Sequence, residues 1–138
     1  MFRLGRRYRF SASHRLHAPS LSAEENTAIY GKCNNPYGHG HDYVLEVALQ
    51  GEPETASGLL VNVGDLDALV RSEVLAHYDQ KHMNAQIDRF ATIPPTTENV
   101  AEDIYQRLEQ AWPPNWPALD SVKILETRRN TVEYKGTR

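Results

Sequence analysis

Residues 39–49 read HGHDYVLEVAL, and in this stretch every second side chain falls into one set. The set comprises His39, His41, Tyr43, Leu45, Val47 and Leu49. An alternation with a period of two predicts a β-strand that buries one face. The two imidazoles are therefore expected on the same inward face as the apolar residues that follow them.

A second alternating stretch, residues 6–16, is predicted to form a strand whose inward face includes His14. If the two strands pair, His14 can reach the same place as His39 and His41. Imidazole nitrogens bind zinc at about 2.0–2.1 Å, and three histidines leave the fourth tetrahedral position open for water or substrate. We therefore predict a catalytic Zn²⁺ site formed by these three side chains.

Two alternatives to this site remain open at the level of sequence. His17 lies three residues beyond His14 and offers another imidazole, although on a strand it would face the opposite side. The paired histidines can also be unrelated polar residues, and iron or nickel would accept the same ligands as zinc.

Two helices are predicted in the second half of the chain. Residues 65–77 carry an apolar stripe, with acidic residues in the first turn where the helix dipole favours them. The second helix begins at Thr96 or Thr97, either of which can cap it, and ends before Pro113. Residues 78–95 between the helices are predicted to be irregular.

The remaining segments complete an α+β layout. Residues 120–127 and 131–135 are predicted to form a closing hairpin, residues 58–63 an extended segment, and residues 17–38 a long loop. Two strands, two helices and two strands predict a single domain, residues 1–138, with an antiparallel sheet and both helices on one face. Self-association would protect the edges of so small a sheet.

Composition excludes several classes of protein. The formal net charge of −3 argues against nucleic acid or an anionic membrane as the main partner. No apolar run is long enough to span a bilayer, and the basic N-terminus lacks the apolar region of a secretory signal. The single cysteine, Cys33, excludes an intramolecular disulfide and fits the reducing cytoplasm.

Several motifs together resemble the 6-pyruvoyl tetrahydropterin synthase family, which includes the bacterial 6-carboxy-tetrahydropterin synthases of queuosine biosynthesis. They are FSASH at 10–14, EEN at 24–26, YGKCNNPYGHGHDY at 30–43, PTTENVA at 95–101, LET at 125–127 and YKG at 134–136. The resemblance implies the tunnelling fold and a hexamer built as a dimer of trimers, with sites at subunit interfaces.

The same resemblance implies roles for individual residues. His14, His39 and His41 match the family's zinc ligands, Cys33 its catalytic cysteine, and Asp79 the aspartate of its proton relay. The family substrate is 7,8-dihydroneopterin triphosphate, which loses triphosphate to give 6-pyruvoyl-tetrahydropterin.

The resemblance also implies a pterin-binding group. Glu126 matches the acid that anchors the pterin ring, assisted by Thr96, Thr97 and Glu98. A carboxylate suits the 2-amino and N3–H donors of a pterin edge.

One position departs from the family. Its relay motif runs Asp-His-Lys, whereas this chain reads Asp79-Gln80-Lys81. A glutamine amide cannot carry a proton near neutral pH. His82, or alternatively His77, is therefore expected to substitute; the remaining alternative is that Cys33 and Asp79 work with water, more slowly. The spacing from Cys33 to His39 favours the pyruvoyl product. A carboxy product, a non-catalytic pterin-binding protein and a zinc hydrolase are the alternatives.

Overall fold

The computed structural model of the chain describes residues 1–136. Five strands form one sheet in the order β3-β1-β2-β4-β5. The strands are β1 (Phe2–His14), β2 (His39–Gly51), β3 (Lys81–His82), β4 (Ala118–Leu125) and β5 (Thr131–Tyr134). The α-helices are α1 (Ala23–Tyr30), α2 (Val63–Val70), α3 (Ala76–Tyr78), α4 (Met83–Gln86) and α5 (Thr97–Ala111).

The two long strands pair in the way their alternation predicts. β1 and β2 run antiparallel over their full length, with His14 opposite His39, Ala12 opposite His41 and Phe10 opposite Tyr43. The first strand begins at Phe2 and ends at His14, rather than spanning residues 6–16. Because the register brings the inward faces together, all three predicted ligands lie at one end of the strand pair.

The predicted helices cover the inward face of the sheet. Helix α5 begins where expected, since Thr96 Oγ1 accepts a hydrogen bond from the backbone N–H of Asn99 at 3.2 Å. The helix predicted at 65–77 instead begins at Val63 and passes through a π-helical turn, Arg71–Leu75, before α3. The buried core lies between these helices and the sheet, and includes Tyr43, Leu45, Leu66, Val74, Ile104, Leu108 and Ile124.

The prediction of a continuous loop at 17–38 is wrong, because this segment contains α1 and a 3₁₀ turn, Gly31–Asn34. Helix α1 starts with a capping box in which Ser22 and Glu25 bond each other's backbone N–H groups. Asn26 is the buried residue of this helix, and its side-chain N–H groups donate to three backbone carbonyls. A helix without a buried apolar stripe gives no helical periodicity.

Two further predictions need correction. Residues 58–63 form no strand, because the segment runs directly into the N-cap of α2 at Asn62. Residues 78–95 are not irregular throughout, since they contain β3, α4 and a 3₁₀ turn. β3 pairs with β1 in parallel through Ala12 and Ser13, so only the four longer strands form the predicted antiparallel sheet. Within residues 1–136, no helix has the length and apolar character needed to cross a bilayer.

Candidate active site

Three histidine side chains converge where β1 ends and β2 begins. His14, His39 and His41 offer nitrogens that all lie within 4.8 Å of one another. The ring centroids are 4.8 Å apart for His14 and His39, 5.1 Å for His14 and His41, and 4.6 Å for His39 and His41. The three side chains are therefore close enough together to bind one metal ion.

The nitrogens that face one another in this cluster lack ordinary partners. His14 Nε2, His39 Nδ1 and His41 Nε2 are buried and have no hydrogen-bond partner in the described part of the chain. Buried polar atoms are nearly always satisfied, so three unpaired lone-pair donors in one place need an explanation. A metal ion bound by three imidazoles provides one, and these residues fit it.

The surroundings of His14 fix its ring in the state that binds a metal. Its Nδ1–H donates to the backbone carbonyl of Pro95 at 2.9 Å, and the Tyr43 hydroxyl lies 3.3 Å from the same nitrogen. A carbonyl only accepts, so Nδ1 carries the proton and Nε2 keeps its lone pair. Burial lowers the pKa of His14 to about 4, although the Pro95 contact and the charge of Glu126 oppose that shift.

The pKa of His39 is lowered as well, mainly by burial and then by the neighbouring charge of His41. His14 and His39 are therefore neutral near pH 7, as a metal-binding imidazole must be.

A carboxylate and a hydroxyl stand beside the histidines. Glu126 Oε1 lies 3.5 Å from His41 Nε2, and Glu126 Oε2 accepts a hydrogen bond from the hydroxyl of Thr97. The structure thus brings two predicted substrate-binding residues to the candidate metal centre. Thr96 is occupied as the N-cap of α5, and Glu98 is exposed in its first turn.

Cys33 lies in the turn that precedes β2 in the chain. It belongs to the 3₁₀ turn Gly31–Asn34, is half-buried, and its backbone carbonyl accepts from Leu16 N–H at 2.8 Å. The pKa of Tyr43 is raised first by burial, then by the charges of Glu126 and Cys33. The thiol is therefore within electrostatic reach of the tyrosine that touches His14.

Asp79 and Gln80 lie at the edge of the sheet instead. Asp79 Oδ1 accepts from Ser11 N–H at 2.9 Å, and Gln80 N–H donates to the Ser11 carbonyl at 2.6 Å. Both residues are exposed, and no hydrogen bond joins either to Cys33 within residues 1–136. The described part of the chain therefore contains no hydrogen-bonded relay from Cys33 to Asp79.

The two histidines considered as substitutes for the relay differ in location. His82 packs against the chain that leads into His39, because its Nε2 would lie 3.1 Å from a Cβ on Gly38. Its Nδ1 is buried without a hydrogen-bond partner in the described residues. His77 is exposed on α3. Of the two, His82 is the one adjacent to the candidate metal centre.

Sequence reasoning missed two supports of the site. Tyr43 shares the inward face of His39 and His41, so its parity was a signal for its contact with His14. The Pro95 carbonyl gives no signal at all, since every residue has one. The hydrogen bond from Ser11 Oγ to Asp42 Oδ1, at 2.5 Å, lies on the opposite face of the sheet and does not support the site.

Three inward histidines with a carboxylate and a thiol nearby are typical of metal-dependent enzymes rather than of four-ligand structural sites. The family model described as 6-pyruvoyl tetrahydropterin synthase matches residues 3–137. The chain belongs to this family.

Individual relatives agree with the family match. The chain is 42% identical over 133 residues to 6-pyruvoyl tetrahydrobiopterin synthase of Homo sapiens, covering 96% of this chain and 90% of the human one. It is 33% identical over 141 residues to 6-carboxy-5,6,7,8-tetrahydropterin synthase of Bacillus subtilis, covering 97% and 85%. The relatives named 6-pyruvoyl tetrahydrobiopterin synthase are lyases, which places this chain among enzymes.

A solved structure confirms the fold. The 6-pyruvoyl tetrahydropterin synthase of Caenorhabditis elegans superposes with a TM-score of 0.93 at 38% identity, covering 99% of this chain and 96% of that one. The predicted α+β tunnelling fold is therefore confirmed.

Proposed function

We propose that this chain is a zinc-dependent lyase that converts 7,8-dihydroneopterin triphosphate to 6-pyruvoyl-tetrahydropterin with loss of triphosphate. Three imidazole nitrogens that have no hydrogen-bond partner in the described residues meet Glu126 and Thr97, and this observation carries the proposal. The identity of 42% to the human pyruvoyl-forming enzyme supports the reaction, and the three-histidine ligand set supports zinc.

Each group has a chemical task in this proposal. A bound zinc ion supplies Lewis acidity toward the hydroxyl groups of the substrate side chain. Glu126 accepts hydrogen bonds from the 2-amino and N3–H groups of the pterin, with its position fixed by Thr97. Cys33, as a thiolate, takes a proton from the side chain and returns one to the ring.

The proton relay needs groups besides Cys33. Asp79 and Gln80 are exposed at the sheet edge, where a neighbouring subunit can use them. We infer that an assembly in which this edge meets a second copy completes the relay, with His82 as a proton-transfer group near the metal centre. Thr96 and Glu98 then border the pterin pocket from the start of α5.

The sheet has two edges on which such an assembly can form. β3 covers only Ala12 and Ser13 of β1, and β5 is the outer strand on the other side. Pairing of these edges between copies would give a ring, and two rings would give the hexamer, a dimer of trimers. The lone cysteine supports a reducing, cytoplasmic location.

Product analysis tests the reaction. Zinc-loaded protein is incubated with 7,8-dihydroneopterin triphosphate, and the products are identified by mass spectrometry. Triphosphate with a pyruvoyl product supports the proposal. Acetaldehyde with a carboxy product assigns the chain to the reaction named for its Bacillus subtilis relative, and no turnover rejects both.

Two substitutions test the roles inside the site. Cys33→Ala is expected to abolish turnover while zinc remains bound, whereas a hydrolase that uses a metal-bound hydroxide would tolerate it. His39→Ala is expected to lower zinc content, measured by mass spectrometry of the metal, at least tenfold. His77→Ala is the matched control, because this exposed histidine lies outside the cluster.

A further inference from the structure

Tyr78 directly precedes Asp79 and is completely buried. Its hydroxyl donates to Asp103 Oδ2 on α5 at 2.5 Å. Its ring lies 5.4 Å, centroid to centroid, from Phe10 of β1. This one side chain therefore ties the end of α3 to both the helix layer and the sheet.

The acceptor of that hydrogen bond is itself held in place. Arg107 Nε donates to Asp103 Oδ2 at 2.8 Å, and Arg89 Nη1 lies 3.7 Å from Oδ1. The Arg107 guanidinium also lies 5.9 Å from the centre of the Tyr78 ring. Burial, with the charge of Asp103, raises the pKa of Tyr78 well above its usual value. The phenol thus stays protonated and keeps donating.

The turn that follows Tyr78 is exposed and has an unusual backbone. Gln80 has a φ of 62°, in the left-handed region that side chains other than glycine rarely adopt. On the far side of the turn, Ser11 bonds both Asp79 and Gln80. On the near side, Asp79 N–H bonds Leu75 O at 2.9 Å and Tyr78 anchors the chain. Such a conformation persists only when its surroundings hold it.

A second tyrosine, Tyr8, also bonds an aspartate that an arginine holds, but it is not adjacent to the exposed turn. The Tyr8 hydroxyl donates to Asp67 Oδ1 at 2.7 Å, and Arg6 Nε donates to the same oxygen at 2.6 Å. That set joins β1 to α2, but neither element contains Asp79. The chain thus offers a matched comparison, in which only one of two tyrosine–aspartate bonds adjoins the exposed turn.

We propose that Tyr78, through its hydrogen bond to Asp103, is a positioning residue that sets the location of the Asp79 carboxylate. This inference rests on the proposed function, in which Asp79 serves the proton relay. Tyr78 does not touch the substrate in this proposal. A displacement of about 1 Å at a reacting group is enough to lower a rate up to a hundredfold.

The first test compares Tyr78→Phe with Tyr8→Phe, each of which removes one hydroxyl. Tyr78→Phe is expected to lower the midpoint of thermal unfolding more than Tyr8→Phe, because Tyr78 and Asp103 are buried whereas Tyr8 is half-buried. Only Tyr78→Phe is expected to lower kcat, about tenfold, with KM changed less than twofold. Hydrogen exchange of the Gln80 amide, which donates to Ser11, should accelerate at least tenfold in that variant alone.

Equal kcat and equal exchange in the two variants would overturn the proposal. If Tyr78→Phe does not fold, Asp103→Asn provides the second variant, since an amide oxygen still fills the acceptor position but binds more weakly. It is expected to show the same pattern to a smaller extent.

A double substitution tests whether Tyr78 acts through Asp79. Asp79→Asn is expected to lower kcat, and Tyr78→Phe with Asp79→Asn to lower it no further. Effects that multiply would overturn the proposal, as would full kcat in Asp79→Asn alone. A wild-type protein without turnover rejects the proposed function whatever the exchange rates are, so the two failures are distinguishable.

Discussion

His14 illustrates how a single residue depends on contacts that are remote in sequence. It lies on β1, yet its Nδ1–H is held by the carbonyl of Pro95 and its ring meets the side chains of β2. It is 1% exposed, so protonation would place a charge inside the molecule. This position is therefore suited to a neutral imidazole, and it destabilises the folded chain when the pH falls.

The metal-free protein is expected to lose stability in acid because of His14. Its pKa is about 4 in the folded chain, whereas an ordinary histidine in the unfolded chain has a pKa near 6.5. The unfolded state therefore binds the proton first, and stability is lost as the pH falls from about 6.5 toward 4. Between pH 7.5 and pH 5 this residue should contribute about 2 kcal/mol to the change in unfolding free energy.

Urea unfolding of the wild type and of His14→Gln at both pH values measures this contribution. The difference in unfolding free energy between pH 7.5 and pH 5 should be smaller in the variant. An equal difference in both proteins would show that His14 is not the responsible group.

Gln80 is the residue at which the chain departs from the family motif. We expect Gln80→His to raise kcat, because an imidazole can carry a proton where the amide cannot. The backbone should accept the change, since histidine is enriched among residues with positive φ. Steady-state kinetics on 7,8-dihydroneopterin triphosphate measures the effect. Gln80→Asn, which has no titrating group, is the control. An unchanged or lower rate in Gln80→His would count against the hypothesis that the glutamine weakens the proton relay.

At the scale of elements, the sequence predicts those parts whose periodicity is set by burial. β1, β2 and α5 each bury one face and were placed within a few residues of their ends. Helix α1 was missed because Asn26, a polar residue, is its buried side chain. Its capping box, Ser22 with Glu25, was nevertheless a visible signal.

Other elements depend on contacts that sequence patterns do not record. β3 has only two residues, and it is defined by its parallel pairing with Ala12 and Ser13 of β1. The apolar residues within 58–63 predict an extended segment, yet none of these residues belongs to a strand. Strand parity predicts that His14, His39 and His41 lie together. It gives no information about Asp79, whose position depends on the path of the chain after α3.

The first turn of α5 gives a prediction at the same scale. Thr96→Ala removes the side chain that caps Asn99 N–H and is expected to cost about 1 kcal/mol of unfolding free energy. Thr96→Ser keeps the hydroxyl and should restore most of it. Urea unfolding measures both variants. Unchanged stability with a raised KM would show that Thr96 serves the ligand rather than the helix.

At the scale of the whole molecule, the outer edge of β1 is the feature that bears on assembly. The N–H and C=O of Ser11 face this edge, since Asp79 and Gln80 bond them there. Backbone groups alternate along a strand paired without a bulge, so those of Arg9 and Arg7 face the same way. Beyond β3, this row of groups is suited to pairing with another strand.

Arg9→Pro is expected to weaken the proposed hexamer, because it removes an edge N–H and leaves the bonds from β1 to β2 in place. Arg9→Ala, which removes the side chain alone, should keep the assembly. Sedimentation velocity of both variants and the wild type measures the outcome. A wild type that sediments as a monomer, or a proline variant that remains hexameric, would reject this use of the edge.

The bond that orients His14 ends on the main chain of Pro95 rather than on a side chain. A point substitution at position 95 exchanges the side chain and leaves that oxygen in the polypeptide. A substitution there acts on the contact only through the backbone, because it releases the φ angle that the proline ring fixes. A replacement that keeps the path of the chain into α5 leaves His14 oriented, whereas an insertion or deletion before α5 moves the oxygen away.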